Sequence, residues 1–300
     1  MTFVFKGDSF ENRIRIEGTL QAVSPTHIGT GETREEERKG KNGKPEPKEV
    51  AMITLDANGY PYLPGSALKG VVRNYILQLL RGLYPHIAWE HEYQSSRFRD
   101  MMQDAQIEFM KHEASMLEQV FGTPFAEGKV EFWDAPAANK VTAPEPPQLW
   151  KTKGWNEGRQ CYLVNSVTID PTTGAAEKHK LYSFEVTPAG LEYQVNIVGQ
   201  NLAEEELGLL LFGLEGFNSN IVPLTIGAMS ARGFGRMTLK PEKNIYTVTK
   251  EQLPIWIESS LLQSESAGFS ALQEISCSEA DALIQSCKEK FVDIIKRSGS

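Results

Sequence analysis

The chain reads as an α+β protein with a mixed or antiparallel sheet, and three observations predict this. Polar and apolar residues alternate with a period of two over about 11–23, 129–135, 162–169 and 191–198, the pattern of half-buried strands. Apolar residues recur at three- and four-residue intervals over 66–83, 204–214 and 279–296, the pattern of helices with one buried face. The turn signatures Asp170-Pro171-Thr172-Thr173-Gly174 and Thr187-Pro188-Ala189-Gly190 separate strands close enough to pair as hairpins.

In order, the first strand carries Arg13, Arg15 and Glu17 between Ile14, Ile16 and Gly18, and stops at Ser24-Pro25. A glycine-bearing loop, His27 to Gly31, follows. Residues 32–49 hold mixed charge and no apolar anchor except proline, which predicts an exposed, mobile loop. Val50–Leu55 is a second strand and Asp56–Gly59 a turn. A helix starting at Ser66 is expected to reach about Leu83, before Pro85. Residues 86–120 read as largely helical and 136–160 as loop. Tyr162–Ile169 and Leu181–Val186 form a hairpin, Leu191–Val198 a strand and Glu204–Leu214 a helix. A glycine-rich segment, Pro223–Met237, opens into a strand. The tail is a strand followed by helices near 251–263 and 279–296, the last with Leu283, Cys287, Phe291 and Ile295 on a face that must be buried, within the subunit or against a neighbour.

Composition bounds the function. The 300 residues carry a net charge of -8, so nucleic acid would have to bind a local basic patch and not the whole surface. Cys161, Cys277 and Cys287 form neither a disulfide framework nor a CxxC metal pair, which fits a reducing cytoplasm. The N-terminus lacks a secretory apolar run, and no stretch is long enough to span a bilayer.

One stretch, Tyr60–Arg73, organises these elements. Pro64 stops a strand, Gly65 permits a tight turn and Ser66 can cap the helix that follows. Lys69 and Arg73, four apart, lie on one helix face. A helix N-terminus with two cations beyond it suits phosphate. A capped surface helix with solvated basic residues accounts for the same letters.

Three ordered segments resemble the RAMP superfamily of CRISPR–Cas proteins. They are Ser24–Gly31 leading to P-Y-L-P-G-S-A-L-K-G-V-V-R; Phe121-Gly122-Thr123 with Val130–Ala135; and Asn165–Tyr193 completed by I-G-A-M-S-A-R-G-F-G-R at Ile226–Arg236. They span about residues 11–240, and are most similar to the Cas-seven-like backbone subunits of type III effectors of the Csm and Cmr kind. The resemblance implies a modified RNA-recognition (ferredoxin-like) domain over 1–240, with a helical insertion near 86–120 and a thumb hairpin near 165–190. A C-terminal helical extension covers 241–300. It also implies a cytoplasmic ribonucleoprotein of antiviral defence, whose partners are CRISPR RNA, complementary target RNA, other RAMP subunits and the large Cas-ten subunit.

By the same resemblance, His27, Ser66, Lys69, Arg73, Ser230, Arg232 and Arg236 contact RNA. Asp170-Pro171 stands where the family commonly has Asp-Arg, and Lys178 and Lys180 replace that basic contact. The family's cleavage residue is an Asp in the loop before the P-G-S turn. The charged loop here has only Glu, and counting back from Pro64 makes Glu49 the nearest carboxylate, with Val50 equally placed. If the subunit cuts RNA, Glu49 would hold Mg²⁺ or Mn²⁺. Three functions follow: a structural RNA-binding subunit, a metal-dependent endoribonuclease subunit, and a stand-alone CRISPR RNA processing enzyme.

Overall fold

A computed structural model describes residues 5–39, 45–142, 153–169, 172, 176–240, 244–262 and 277–298. Its strands are β1 (Asn12–Ala22), β2 (Gly29–Lys39), β3 (Pro45–Ile53) and β4 (Tyr62–Leu63), then β5 (Val130–Phe132), β6 (Ala135–Pro136), β7 (Tyr162–Ile169) and β8 (Ala176–Val186), then β9 (Glu192–Gln200), β10 (Met237–Lys240) and β11 (Ile245–Thr249). Its helices are α1 (Gly65–Leu80), α2 (Ser96–Arg99), α3 (Gln103–Glu113), α4 (Met116–Phe121), α5 (Glu204–Glu215), α6 (Leu253–Leu262) and α7 (Cys277–Ser298). Among the described residues no helix is long and apolar enough to cross a membrane.

The central sheet runs β10-β1-β9-β5 and is antiparallel throughout, with β11 continuing beyond β10 along the same edge of β1. With α1 between β1 and β5, and α5 between β9 and β10, the order is the β-α-β-β-α-β of ferredoxin-like folds. The alternation in β1 explains its place: Ile14, Ile16, Leu20 and Ala22 join the core under the helices, and Arg13, Arg15 and Glu17 take the opposite face. Tyr193, Val195 and Ile197 of β9 extend the same core. Helix α1 adds Leu68, Val72, Ile76, Leu77 and Leu80.

The tail closes on the subunit itself. A Cβ at Gly208 of α5 would lie 2.4 Å from the Cys287 carbonyl oxygen, so the two helix backbones meet where only glycine fits. Cys287 and Phe291 are buried there, with Leu283 and Ile295 packed beside them. Residues 86–120 are less helical than expected: turns occupy 81–95 before three short helices, and Tyr93, Phe98 and Met110 form a small separate core with Phe109. Helix α1 ends at Leu80, earlier than Leu83, because the chain turns extended at Arg81 and left-handed at Gly82.

The largest difference concerns residues 32–49. In place of a loop, β2 and β3 form an antiparallel ribbon. The register sets Glu36 opposite Lys48 and Glu35 opposite Glu49, so the ribbon carries charged residues along its length. This ribbon joins the hairpin of β7 and β8 in a second sheet, ordered β2-β3-β8-β7, through a parallel contact of β3 with β8. The turn expected at Asp170–Gly174 lies outside the described residues except for Thr172.

Candidate nucleic-acid interface

The N-terminus of α1 is already satisfied. Pro64 holds the cap position in place of Ser66, which sits exposed in the first turn. The Gly65 N–H donates to Asp134 Oδ1 at 2.8 Å, so the anion favoured at this terminus is the chain's own carboxylate. Gly65 is required for packing: a Cβ there would lie 2.0 Å from the Phe132 carbonyl oxygen. The two cations do not project together. Lys69 Nζ donates to the Val130 carbonyl at 2.9 Å, and burial, followed by the charge of Lys6, lowers its pKa. Arg73 Nη1 pairs with Glu90 Oε1 at 2.5 Å.

The glycine-rich loop, Ile226–Arg236, is built differently. Gly227, Met229, Gly233 and Gly235 all have positive φ. A Cβ at Gly235 would lie 2.0 Å from the Ile226 carbonyl oxygen. The loop is tied down by N–H bonds from Ala228 to the His27 carbonyl, from Gly235 to the Pro25 carbonyl and from Arg236 to Ser24 Oγ. Between these ties, Ser230–Arg232 makes one 3-10 turn. The N–H groups of Met229, Ser230 and Ala231 at its start have no intramolecular acceptor among the described residues.

Arg232 leaves this turn toward the β7–β8 hairpin. Its Nη1 donates to Ser166 Oγ at 2.7 Å and to the Tyr182 hydroxyl, and the guanidinium carbon stands 5.6 Å from the Tyr182 ring centroid. The Ser166 hydrogen bond, then Arg232, lower the Tyr182 pKa. Both hydroxyl oxygens accept from the arginine, and the hydrogen bond between Ser166 and Tyr182 closes the cluster. Among the described residues no carboxylate pairs with Arg232 or Arg236. Consecutive N–H donors beside a guanidinium held by hydroxyls and not by a carboxylate make a surface suited to phosphate.

His27 lies beneath this surface. It is buried, its Nδ1–H donates to the Glu185 carbonyl at 2.6 Å, and its ring meets Phe184 edge-on at 5.4 Å. It braces the loop against β8. Lys178 and Lys180 lie on β8, but their side chains fall outside the described structure.

Glu49 is exposed on β3, directly opposite Glu35 of β2. The β3–β8 register pairs Val50 with Ser183 and Ala51 with Phe184. One step further places Glu49 opposite Tyr182, on the sheet face that carries Ser166 and Arg232. Among the described residues no three His, Cys, Asp or Glu side chains are grouped to hold a metal ion. Glu35 and Glu49 alone match the one or two carboxylates with which Mg²⁺ is held when substrate phosphates supply other oxygens.

The open face of the central sheet is a poor alternative. RNA-recognition sheets stack bases on aromatic residues of their central strands. Here β1 carries Arg15 and Glu17, paired at 2.6 Å, and β9 carries Asn196 and the buried Val198. Ser166, Tyr182 and Asp134 are site residues that residue types alone did not single out. Their roles depend on pairing between distant strands.

A family model described as the RAMP superfamily matches residues 19–238, from within β1 to within β10, and so covers the ribbon, the hairpin and the glycine-rich loop. The chain belongs to the RAMP superfamily. Membership implies a CRISPR-associated RNA-binding protein that holds CRISPR RNA within Cas complexes. No curated protein matches the chain.

Proposed function

We propose that this RAMP protein is a backbone subunit of a type III CRISPR effector of the Csm or Cmr kind. In this reading it holds guide RNA and complementary target RNA beside further RAMP subunits and the large Cas-ten subunit. The observation that carries it is the Arg232–Ser166–Tyr182 cluster at the base of the β7–β8 hairpin, with the open N–H groups of Met229, Ser230 and Ala231 beside it. Such donors grip phosphate without reading bases, as a protein holding many different guides requires. Ser230 and Arg236, in the same loop, extend the grip, and Lys178 and Lys180 add the positive charge of the thumb strand to it. His27, Lys69 and Arg73 serve from beneath, by holding the loop and α1 in place.

The test is titration of fluorescein-labelled single-stranded RNA of several sequences. Arg232→Ala should weaken binding about tenfold on every sequence. Unchanged affinity would remove the cluster from the interface. Cleavage of repeat RNA by the chain alone, in the presence of a chelator, would replace this reading with a processing enzyme.

A second reading, target cleavage, is favoured by Glu35 standing opposite Glu49. Bound Mg²⁺ or Mn²⁺ would stabilise charge on phosphoryl oxygens. Glu49 and Glu35 would hold the ion, and Arg232 would orient the strand. A reconstituted effector with every sibling acid inactivated should then cut labelled target RNA, and both Glu49→Gln and a chelator should stop the cut while binding persists. A metal-dependent cut surviving Glu49→Gln would assign it to another residue.

A further inference from the structure

Segments far apart in sequence meet on one residue. Glu185, on β8, is 1% exposed. Its carboxylate accepts two hydrogen bonds from Arg159, from Nη1 at 2.8 Å and Nη2 at 2.9 Å. Arg34 Nη1 of β2 reaches the same carboxylate at 2.8 Å, and the Ile53 N–H of β3 donates to it at 3.3 Å. The backbone carbonyl of Glu185 receives the His27 bond. Arg34 is gripped on its other edge by Glu36 Oε1, at 3.1 Å from Nε and 2.7 Å from Nη2. Burial opposes the charge of Arg34, but the Glu36 hydrogen bond and the Glu185 charge outweigh it and raise its pKa. Burial, then the Glu185 charge, push the neighbouring Cys161 thiol up to about 12, so that thiol stays protonated.

The backbone alone binds the ribbon weakly to the hairpin, since only two residue pairs define the β3–β8 register. The antiparallel β2–β3 ladder holds the ribbon together and does nothing to fix β3 on β8. A slip of one residue there would turn Glu49 to the opposite face of the sheet.

We propose that Glu185 is a positioning residue: its carboxylate locks the charged ribbon onto the hairpin and keeps Glu49 in the row of Tyr182 and Arg232. The functional consequence rests on the RNA-binding reading above; the clamp itself does not. With the charge removed, Arg34 and Arg159 face each other without an anion between them, and the ribbon loses its register.

The test traps that register in the RNA-free protein. Adjacent strands stand about 5 Å apart, within disulfide reach. Glu49→Cys combined with Tyr182→Cys should therefore cross-link on oxidation, as read by peptide mapping. Adding Glu185→Gln should cut the yield about fivefold or more, whereas Glu185→Asp, which keeps the charge, should retain most of it. A packing role predicts the reverse, because Gln fills the volume of Glu and Asp does not. Hydrogen exchange supplies the second readout: Glu185→Gln should speed exchange about tenfold over 29–39 and 45–53 and leave α1 and β9 unchanged. If Glu185→Gln does not fold, Arg34→Met carries the same expectations. Undiminished cross-linking in the Gln variant, or faster exchange across the whole domain, would overturn the clamp. Parallel titration with labelled single-stranded RNA tests the RNA reading separately, since neither register measurement contains RNA.

Discussion

The first turn of α1 and the glycine-rich loop after Ile226 are spelled alike. Each places glycine and serine ahead of a cation, and each suggests a phosphate cradle. In the first, Asp134 takes the Gly65 N–H, Val130 takes Lys69 and Glu90 takes Arg73. In the second, the donors of Met229 to Ala231 have no taker among the described residues, and Arg232 meets hydroxyls in place of carboxylates. Cations and glycines therefore do not by themselves make an anion site. What decides is whether the fold has already supplied acceptors, and those acceptors come from strands remote in sequence.

The comparison breaks most visibly at its glycines. Gly65→Ala drives a methyl group into the Phe132 backbone and should cost about 3 kcal/mol or more in urea unfolding. Gly233→Ala meets no neighbouring atom and is opposed only by its left-handed φ of 84°, about 1–2 kcal/mol. A mild Gly65→Ala phenotype would mean that the α1 terminus is looser than its packing implies. Asp134→Ala should cost about 1–2 kcal/mol through the missing cap and leave RNA affinity unchanged. Weaker RNA binding at unchanged stability would return that terminus to the interface.

Salt dependence sharpens the contrast further. Arg232→Ala should reduce the log–log salt slope of single-stranded RNA binding by about 0.7 for each phosphate that the arginine neutralises. Lys69→Met should leave that slope where it is. The smallest effect concerns pH. Lys69 has a folded pKa below its ordinary 10.5. Between those two values the unfolded chain binds the extra proton, so this residue's contribution to stability rises with pH over that alkaline window. Lys69→Met should flatten the rise in a series of urea melts.

Much of the central domain was legible because its strands bury one face: the alternation of Ile14, Ile16 and Leu20 locates β1, and Leu68, Val72 and Ile76 locate α1. The ribbon was illegible because charged residues fill 32–49 and leave no apolar period to mark a strand. The cap was misplaced because the partner of Gly65 lies at Asp134, far beyond any local signature. Arg232 could be picked out by residue type and loop chemistry. Ser166 and Tyr182 could not, because they become neighbours only when β7 pairs with β8.

The strand order also sets a timetable for synthesis. β1 ends at Ala22, yet its partners are β9, β10 and β11, of which the earliest residue is Glu192. At about 5–20 residues per second, roughly ten to forty seconds pass before β1 finds any neighbour. Through that interval the nascent strand exposes both hydrogen-bonding edges together with Ile14, Ile16 and Leu20. The interspersed Arg13, Arg15 and Glu17 are its own protection against sticking to other nascent chains, and their neutralisation should show first as aggregation during expression, before any change in the finished protein.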